Sequence, residues 1–182
     1  MLTKRTGLSI ALLALSSCAN VQTAAISEAA QCPTDVDAIF DSIVGEWTLS
    51  VQADEGWTGY GSSRISWDVD QKCGLSERTV AVFNQESEDP FESKSTAYIV
   101  YDDLSETIKI LTADNRGYVH IGIAAVAQPF RFEVLKPSGE APNRQIQYRN
   151  IQPESFEWSW QGRADRSDEW EDRLIINYEK SH

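Results

Sequence analysis

Residues 43 to 52 read Ile-Val-Gly-Glu-Trp-Thr-Leu-Ser-Val-Gln, and the periodicity of the chain changes at the third of them, Gly45. Upstream, in PTDVDAIFDSIVG (33–45), Val36, Ile39, Phe40, Ile43 and Val44 recur at helical spacing, with Thr34 placed as N-cap, Asp35 and Asp37 in the first turn and Gly45 as terminator. This predicts one short helix over Asp35 to Val44 with a single apolar face. Downstream, Trp47, Leu49 and Val51 alternate with Thr48, Ser50 and Gln52, the period of a strand with one dry and one wet face.

Period two then persists to the end of the chain. Ile65, Trp67 and Val69, then Phe130, Phe132 and Val134, then Phe156, Trp158 and Trp160 each alternate with polar residues, and Leu174, Ile176 and Tyr178 repeat the spacing late in the chain. Turn signals such as DQKCG, NQESEDP, DNRG, KPSGEAPN and GRADRSDE separate these runs. They predict about ten antiparallel strands in a meander, and the lack of a second long helical pattern excludes βαβ architectures. A ten-strand meander hides its two edges and its apolar face by closing into a barrel; a two-sheet sandwich is the alternative. An apolar helix at the entrance to the first strand favours the barrel, because it can cap one end. On this register Trp47, Leu49, Val51, Trp67, Phe130, Phe132, Phe156, Trp158 and Trp160 share one interior, while Arg131, Glu133, Glu157 and Ser159 stay wet.

The chain begins MLTKRTGLSIALLALSSC, with Lys4 and Arg5, an apolar run from Leu8 to Leu15 and small residues before Cys18. These are the parts of an export signal, and the run is too short for a membrane-spanning helix, which needs about 20 apolar residues. Ser17-Cys18-Ala19 serves loosely as a simple secretory cleavage site. LSSC (15–18) more closely resembles the bacterial lipobox, in which the cysteine becomes the acylated first residue, and by that resemblance Ala19, not being Asp, directs the product to the periplasmic face of the outer membrane of a Gram-negative cell. The domain reading is therefore a signal peptide over 1–17, a flexible tether over 18–31 (ANVQTAAISEAAQ after Cys18) and a barrel domain over 32–182. The remaining cysteines, Cys32 and Cys73, form an even pair in an oxidising compartment and are expected to be bonded.

The net charge is −12, and −14 once residues 1 to 17 with their two basic side chains are removed. So acidic a surface repels nucleic acid and anionic headgroups, leaving the lipid anchor as the membrane contact.

Gly45-Glu46-Trp47, after a short helix and at the head of the first strand, resembles the G-x-W signature of the lipocalin and wider calycin superfamily, where the Trp packs across the closed end of the barrel. The chain from about residue 36 to 180 is similar to a family of bacterial lipocalin-like domains of unknown function, often exported, with a strand ending in Tyr-Asp (Tyr101-Asp102 in TAYIVYDD) and a last hairpin of aromatic pairs (FEWSW and DEWEDRLIINYEK). The resemblance implies a basic residue from the last strand against Trp47, for which Arg173 and Lys180 are the candidates. It does not extend to the haem-binding nitrobindins. Those carry further glycines where this chain reads WTLSV and a late histidine ligand, whereas the histidines here are His120 and the terminal His182.

Chemistry-bearing motifs are sparse. G-x-S-x-G, H-E-x-x-H and the D-x-D-x-D-G calcium loop do not occur, so no catalytic residue, metal ligand or cofactor is assigned, and a non-enzymatic protein is expected. In GYVHIGI (117–123), Val119, Ile121 and Ile123 form the apolar set, which places His120 on the outside. The candidate ligand-lining residues are Trp47, Trp67, Phe132, Phe156, Trp158 and Trp160; core packing is favoured for Trp47 and Trp67, and a pocket mouth is open to Trp158 and Trp160 near the GRADRSDE loop. Two readings follow: an envelope lipoprotein whose barrel binds a small apolar ligand, and a structural or interaction lipoprotein whose barrel is filled. An empty interior of a few hundred cubic ångströms is what separates them.

Overall fold

The computed structural model describes residues 32–68, 73–86, 88–136, 138, 142–165 and 168–182. The segments expected to be signal and tether, with Cys18, lie outside the described residues, as does Val69. Helix α1 (Thr34–Asp41) leads into ten strands: β1 (Gly45–Ala53), β2 (Thr58–Trp67), β3 (Gly74–Gln85), β4 (Glu88–Asp102), β5 (Thr107–Asp114), β6 (Val119–Ala125), β7 (Arg131–Val134), β8 (Arg144–Gln152), β9 (Ser155–Gly162) and β10 (Glu171–Lys180). Every strand pairs antiparallel with its neighbours in sequence, and β1 pairs with β10, so the sheet closes into a barrel. Closure leaves no sheet edge, which is why the barrel and not the sandwich satisfies these strands. No helix among the described residues is long and apolar enough to cross a membrane.

Helix α1 is shorter than expected. It ends at Asp41 rather than Val44, and its N-cap position is Pro33, without a side-chain cap, so Thr34 is the first helical residue and not the cap. The chain turns at Ser42 so that Ile43, buried with Val36 and Phe40, still reaches the core. Phe40 meets the rings of Trp67 at 5.9 Å and Phe130 at 6.4 Å, and Trp67 Nε1 donates to Asp41 at 2.9 Å. The helix thus plugs the end of the barrel where β1 begins and β2 ends. Cys32 and Cys73 are bonded, with Cα atoms 4.8 Å apart, which ties the segment before α1 to the chain between β2 and β3.

Above the plug lies a layer of aromatics. Trp47 Nε1 donates to the Ile43 carbonyl at 3.0 Å, its ring meets Phe156 edge-on at 4.8 Å, and Phe156 stacks on Tyr178 at 4.1 Å. Of the two basic candidates, Lys180 is the one that covers Trp47, its Nζ 5.4 Å from the ring centroid. Tyr101-Asp102 closes β4, and the Asp102 carboxylate organises the following turn by accepting from Lys109 Nζ, Ser105 Oγ (2.7 Å) and the Leu104 amide (3.1 Å).

One face assignment and one burial assignment are corrected. On β6 it is His120, Gly122 and Ala124 that point inward, while Val119 and Ile121 are exposed at 60% and 48%. The interior there has no room for a branched side chain: a Cβ on Gly122 would lie 2.9 Å from both Ile110 Cγ2 and Phe132 Cβ. Ser159, expected to be wet, is fully buried. It sits on the outer face, paired in register with Gln147 on one side and Ile175 on the other. Around it runs a polar ladder: Arg131 donates to Gln145, Gln145 to Gln161, Gln161 to Asp172 at 2.7 Å, and Arg149 bridges Asp172 and Glu157. Arg131 and Glu157 are accordingly half-buried, while Glu133 is exposed.

Candidate functional site

Toward the end of the barrel opposite α1 the interior is hollow. The cavity has a volume of about 600 Å³, within the range of small-molecule sites. One wall explains it. Strands β3, β4 and β5 turn Ala81, Ser93, Ser95, Ala97 and Thr112 toward the interior, and Ala81 faces Ser93 and Ala97 faces Thr112 in register. A wall of such short side chains leaves unfilled the volume that larger ones occupy lower in the barrel.

The opposite wall is aromatic. Trp158 and Trp160 project from β9, paired with Tyr148 and Ile146 on β8 and with Ile176 and Leu174 on β10. The His120 ring lies 4.7 Å from Trp160 and stacks with Tyr118 at 6.4 Å, while the Arg144 guanidinium lies 5.8 Å from the Trp160 centroid on the solvent side of the opening. Burial, reinforced by the positive charge of Arg144 and opposed by Asp114, pushes the His120 imidazole below its ordinary value.

The floor is a buried carboxyl group. Glu77 Oε1 accepts from Tyr178 Oη at 2.8 Å and Ser63 Oγ at 2.9 Å, and Oε2 accepts from Tyr148 Oη at 3.0 Å. Thr79 Oγ1 lies 3.0 Å from Ser63 Oγ and 3.2 Å from Glu77 Oε1, its one proton serving either. Among the described residues no cation pairs with Glu77. The hydroxyls satisfy it instead, as a buried carboxyl group requires. Burial, then the nearby charge of Glu77, drives both tyrosines well above their ordinary value, so they act as donors. Floor and walls together offer apolar contact over most of the cavity, a carboxyl group already bonded to hydroxyls at its base and cationic donors at its mouth. Among the described residues no group of three or more His, Cys, Asp or Glu is placed to hold a metal ion.

Of the six candidate lining residues, the structure brings Trp158 and Trp160 to the cavity. Trp47, Phe132 and Phe156 are core, at 1%, 0% and 3% exposure, and Trp67 belongs to the helix-covered end. None of these four lines the cavity: Phe156 packs between Trp47 and Tyr178, and Phe132 meets the Tyr148 ring at 6.3 Å. His120 moves the other way, from an expected outer position to the cavity wall. Glu77, Tyr148 and Tyr178 were not singled out in the sequence. The signal was present: in Leu75, Glu77, Thr79 and Ala81 a single carboxylate interrupts a period-two face that is otherwise apolar or small.

No protein-family model matches the chain, and no curated protein matches it in sequence. Solved structures resemble it in shape. The redesigned β-barrel mFAP0, bound to DFHBI, is 11% identical, with 76% of this chain and 99% of that one covered at a TM-score of 0.45. A de novo designed fluorescence-activating β-barrel is 11% identical, over 78% of this chain and 95% of that one, at 0.42. The S-type phycobiliprotein lyase CPES from Guillardia theta is 9% identical, over 81% and 93%, at 0.49. At these identities and scores the likeness is one of barrel architecture.

Proposed function

We propose that this chain is an envelope lipoprotein, held at the periplasmic face of the outer membrane through an acylated Cys18, whose barrel binds a small and mostly apolar ligand without transforming it. The observation that carries the reading is the hollow of about 600 Å³ walled by Trp158, Trp160 and a set of small residues. A packed barrel would have favoured a purely structural role. The polar groups at the base of the cavity hydrogen-bond one another, which suits a fixed binding surface. The bonded Cys32 and Cys73 are compatible with export.

Native mass spectrometry of protein taken from its own host tests this: a co-purifying small molecule, released on unfolding and quenching tryptophan fluorescence when added back, is the expected result. Protein that runs as the bare chain, with fluorescence unmoved by host extract, would overturn it. In the same spectra the anchor is read as a diacylglyceryl mass on a peptide beginning at Cys18; an unmodified peptide running through Cys18 removes that part.

A second reading, an interaction protein, is favoured by one observation. Tyr98, Leu111 and Ile121 lie side by side in register on the outer faces of β4, β5 and β6, and the Leu135 amide donates to the Ile121 carbonyl at 2.8 Å; all four side chains are between 42% and 48% exposed. Host complementation separates the two readings. Ala97→Phe, which fills the cavity, mimics deletion under the first, and Ile121→Asp does so under the second.

A further inference from the structure

The opening of the cavity is charged against the sign of the chain. The protein carries 28 acidic and 16 basic residues, yet four arginines line this cavity, Arg116, Arg144, Arg163 and Arg173, against two carboxylates, Glu77 and Asp114. The two carboxylates are both engaged: Glu77 lies at the floor among hydroxyls, and Asp114 is bonded twice by the Arg116 guanidinium, at 3.0 and 3.1 Å. Arg173 is paired with Asp54 and Glu171 outside the cavity. Arg163 lies 4.2 Å over the Trp170 ring and donates to the Pro142 carbonyl.

Arg144 stands apart. It is the first residue of β8, exposed, with its guanidinium over Trp160, and among the described residues it forms no ion pair. The Arg163 amide bonds to the Asn143 carbonyl, so Arg163, just after β9, and Arg144, at the start of β8, sit side by side at the mouth. A guanidinium set over an aromatic wall and not paired with a carboxylate has its forked donors open to a planar or tetrahedral oxyanion. An opening meant for a neutral hydrocarbon gains nothing from this arrangement.

We propose that the ligand of this cavity carries an anionic group, a carboxylate, phosphate or sulfonate, held at the mouth by Arg144 with Arg163 beside it, while its apolar body lies against Trp158 and Trp160. This rests on the binding reading above and adds one constraint to it: the ligand is an amphiphile with its acid toward solvent. His120, held neutral beside Arg144, adds a hydrogen-bonding group to the same rim without bringing another charge.

Two dyes of one skeleton test it: anilinonaphthalene sulfonate and its uncharged parent, phenylnaphthylamine. Full-length chain, oxidised so that Cys32 and Cys73 are bonded, is titrated with each by calorimetry, alongside Arg144→Gln, Arg144→Lys and Trp160→Ala. The sulfonate is expected to bind at least about tenfold more tightly than the parent, the least that a hydrogen bond to a charged group contributes. Arg144→Gln is expected to erase that preference by weakening the sulfonate alone, Arg144→Lys to restore part of it, and Trp160→Ala to weaken both dyes. Equal binding of the two dyes to the wild type, or a preference that survives Arg144→Gln, overturns the anionic assignment and leaves the binding reading standing. If neither dye binds, or Trp160→Ala leaves both unchanged, the binding reading itself falls, and this inference with it.

Discussion

The hydroxyl of Tyr178 and the carboxyl group of Glu77, 101 residues apart in the chain, meet at 2.8 Å inside the barrel. Tyr148 reaches the other oxygen of the same carboxyl from a third strand. One buried group on β3 thereby fixes β8 and β10, on the far side of the cavity, and Ser63 on β2 completes the set. Removing the Tyr148 hydroxyl strips Oε2 of its donor, and removing that of Tyr178 leaves Oε1 to Ser63 and Thr79. Tyr178→Phe and Tyr148→Phe are each expected to cost about 1 to 3 kcal/mol in urea unfolding. Because both donate to one carboxyl, the double variant should depart from the sum of the two single losses, and strict additivity would show that the hydroxyls act independently.

Reduction of Cys32–Cys73, or its replacement by a Ser pair, frees a loop of 41 residues and with it the anchorage of α1. The expected loss is about 4 kcal/mol on the chain-entropy account. Denaturation under matched oxidising and reducing conditions measures it, and midpoints that coincide would contradict it.

His120 supplies a pH test whose sign is fixed. Its folded value is depressed, first by burial and then by Arg144. The unfolded chain therefore takes up the proton first as the pH falls. Stability is whole above the ordinary value of 6.5, declines as the pH drops from there through the folded value, and then levels. Melting temperatures between pH 7.5 and 5 should show that decline in the wild type and lack it in His120→Asn, with the range chosen from about one unit above the ordinary imidazole value. A second decline, below the ordinary carboxylate value of 3.8, should persist in both. There burial works to raise Asp172, but hydrogen bonds from Arg149 and Gln161 hold it down, and protonating it breaks them.

Aromatic truncations should divide between core and cavity wall. Phe132→Ala, in the packed half, is expected to cost about 3 to 5 kcal/mol, whereas Trp158→Ala, already bordering a hollow, should cost clearly less. Chemical denaturation of the pair decides it, and equal losses would mean that Trp158 is core.

Gly122→Ala places a methyl group 2.9 Å from Ile110 Cγ2 and Phe132 Cβ. The expected penalty is about 1 to 3 kcal/mol of overpacking, measured in the same unfolding assay. A neutral outcome would show that the β6 face can shift.

The contrast between β1 and β6 shows what the sequence makes legible. On β1, Trp47, Leu49 and Val51 are large and apolar and their alternates are polar, so period two and hydrophobicity point the same way and the face is fixed. On β6 the two cues part. Period two separates Val119, Ile121 and Ile123 from His120, Gly122 and Ala124 correctly, but the inner set is chosen by space, which depends on Ile110 and Phe132 from other strands. Whether the barrel is hollow or filled stays open in the sequence for the same reason, since Ser93, Ser95 and Ala97 look like an ordinary polar alternation until they form one wall across from Trp158 and Trp160. Helix, strands, closure and the cysteine pairing depend on local pattern and were readable. The empty volume depends on what several distant strands leave out.

The bond between Cys32 and Cys73 also sets a direction. It holds the start of the barrel domain at the end that α1 plugs, next to the first residues of β3, whereas Arg144 and Trp160 stand at the other end. If the chain before Cys32 runs to a lipid at Cys18, the protein hangs from the bilayer by its closed base with its opening turned away. Cargo would then be exchanged with the aqueous side and not drawn up from the membrane beneath. Such an orientation suits a receiver of molecules that arrive through solvent better than an extractor of lipids.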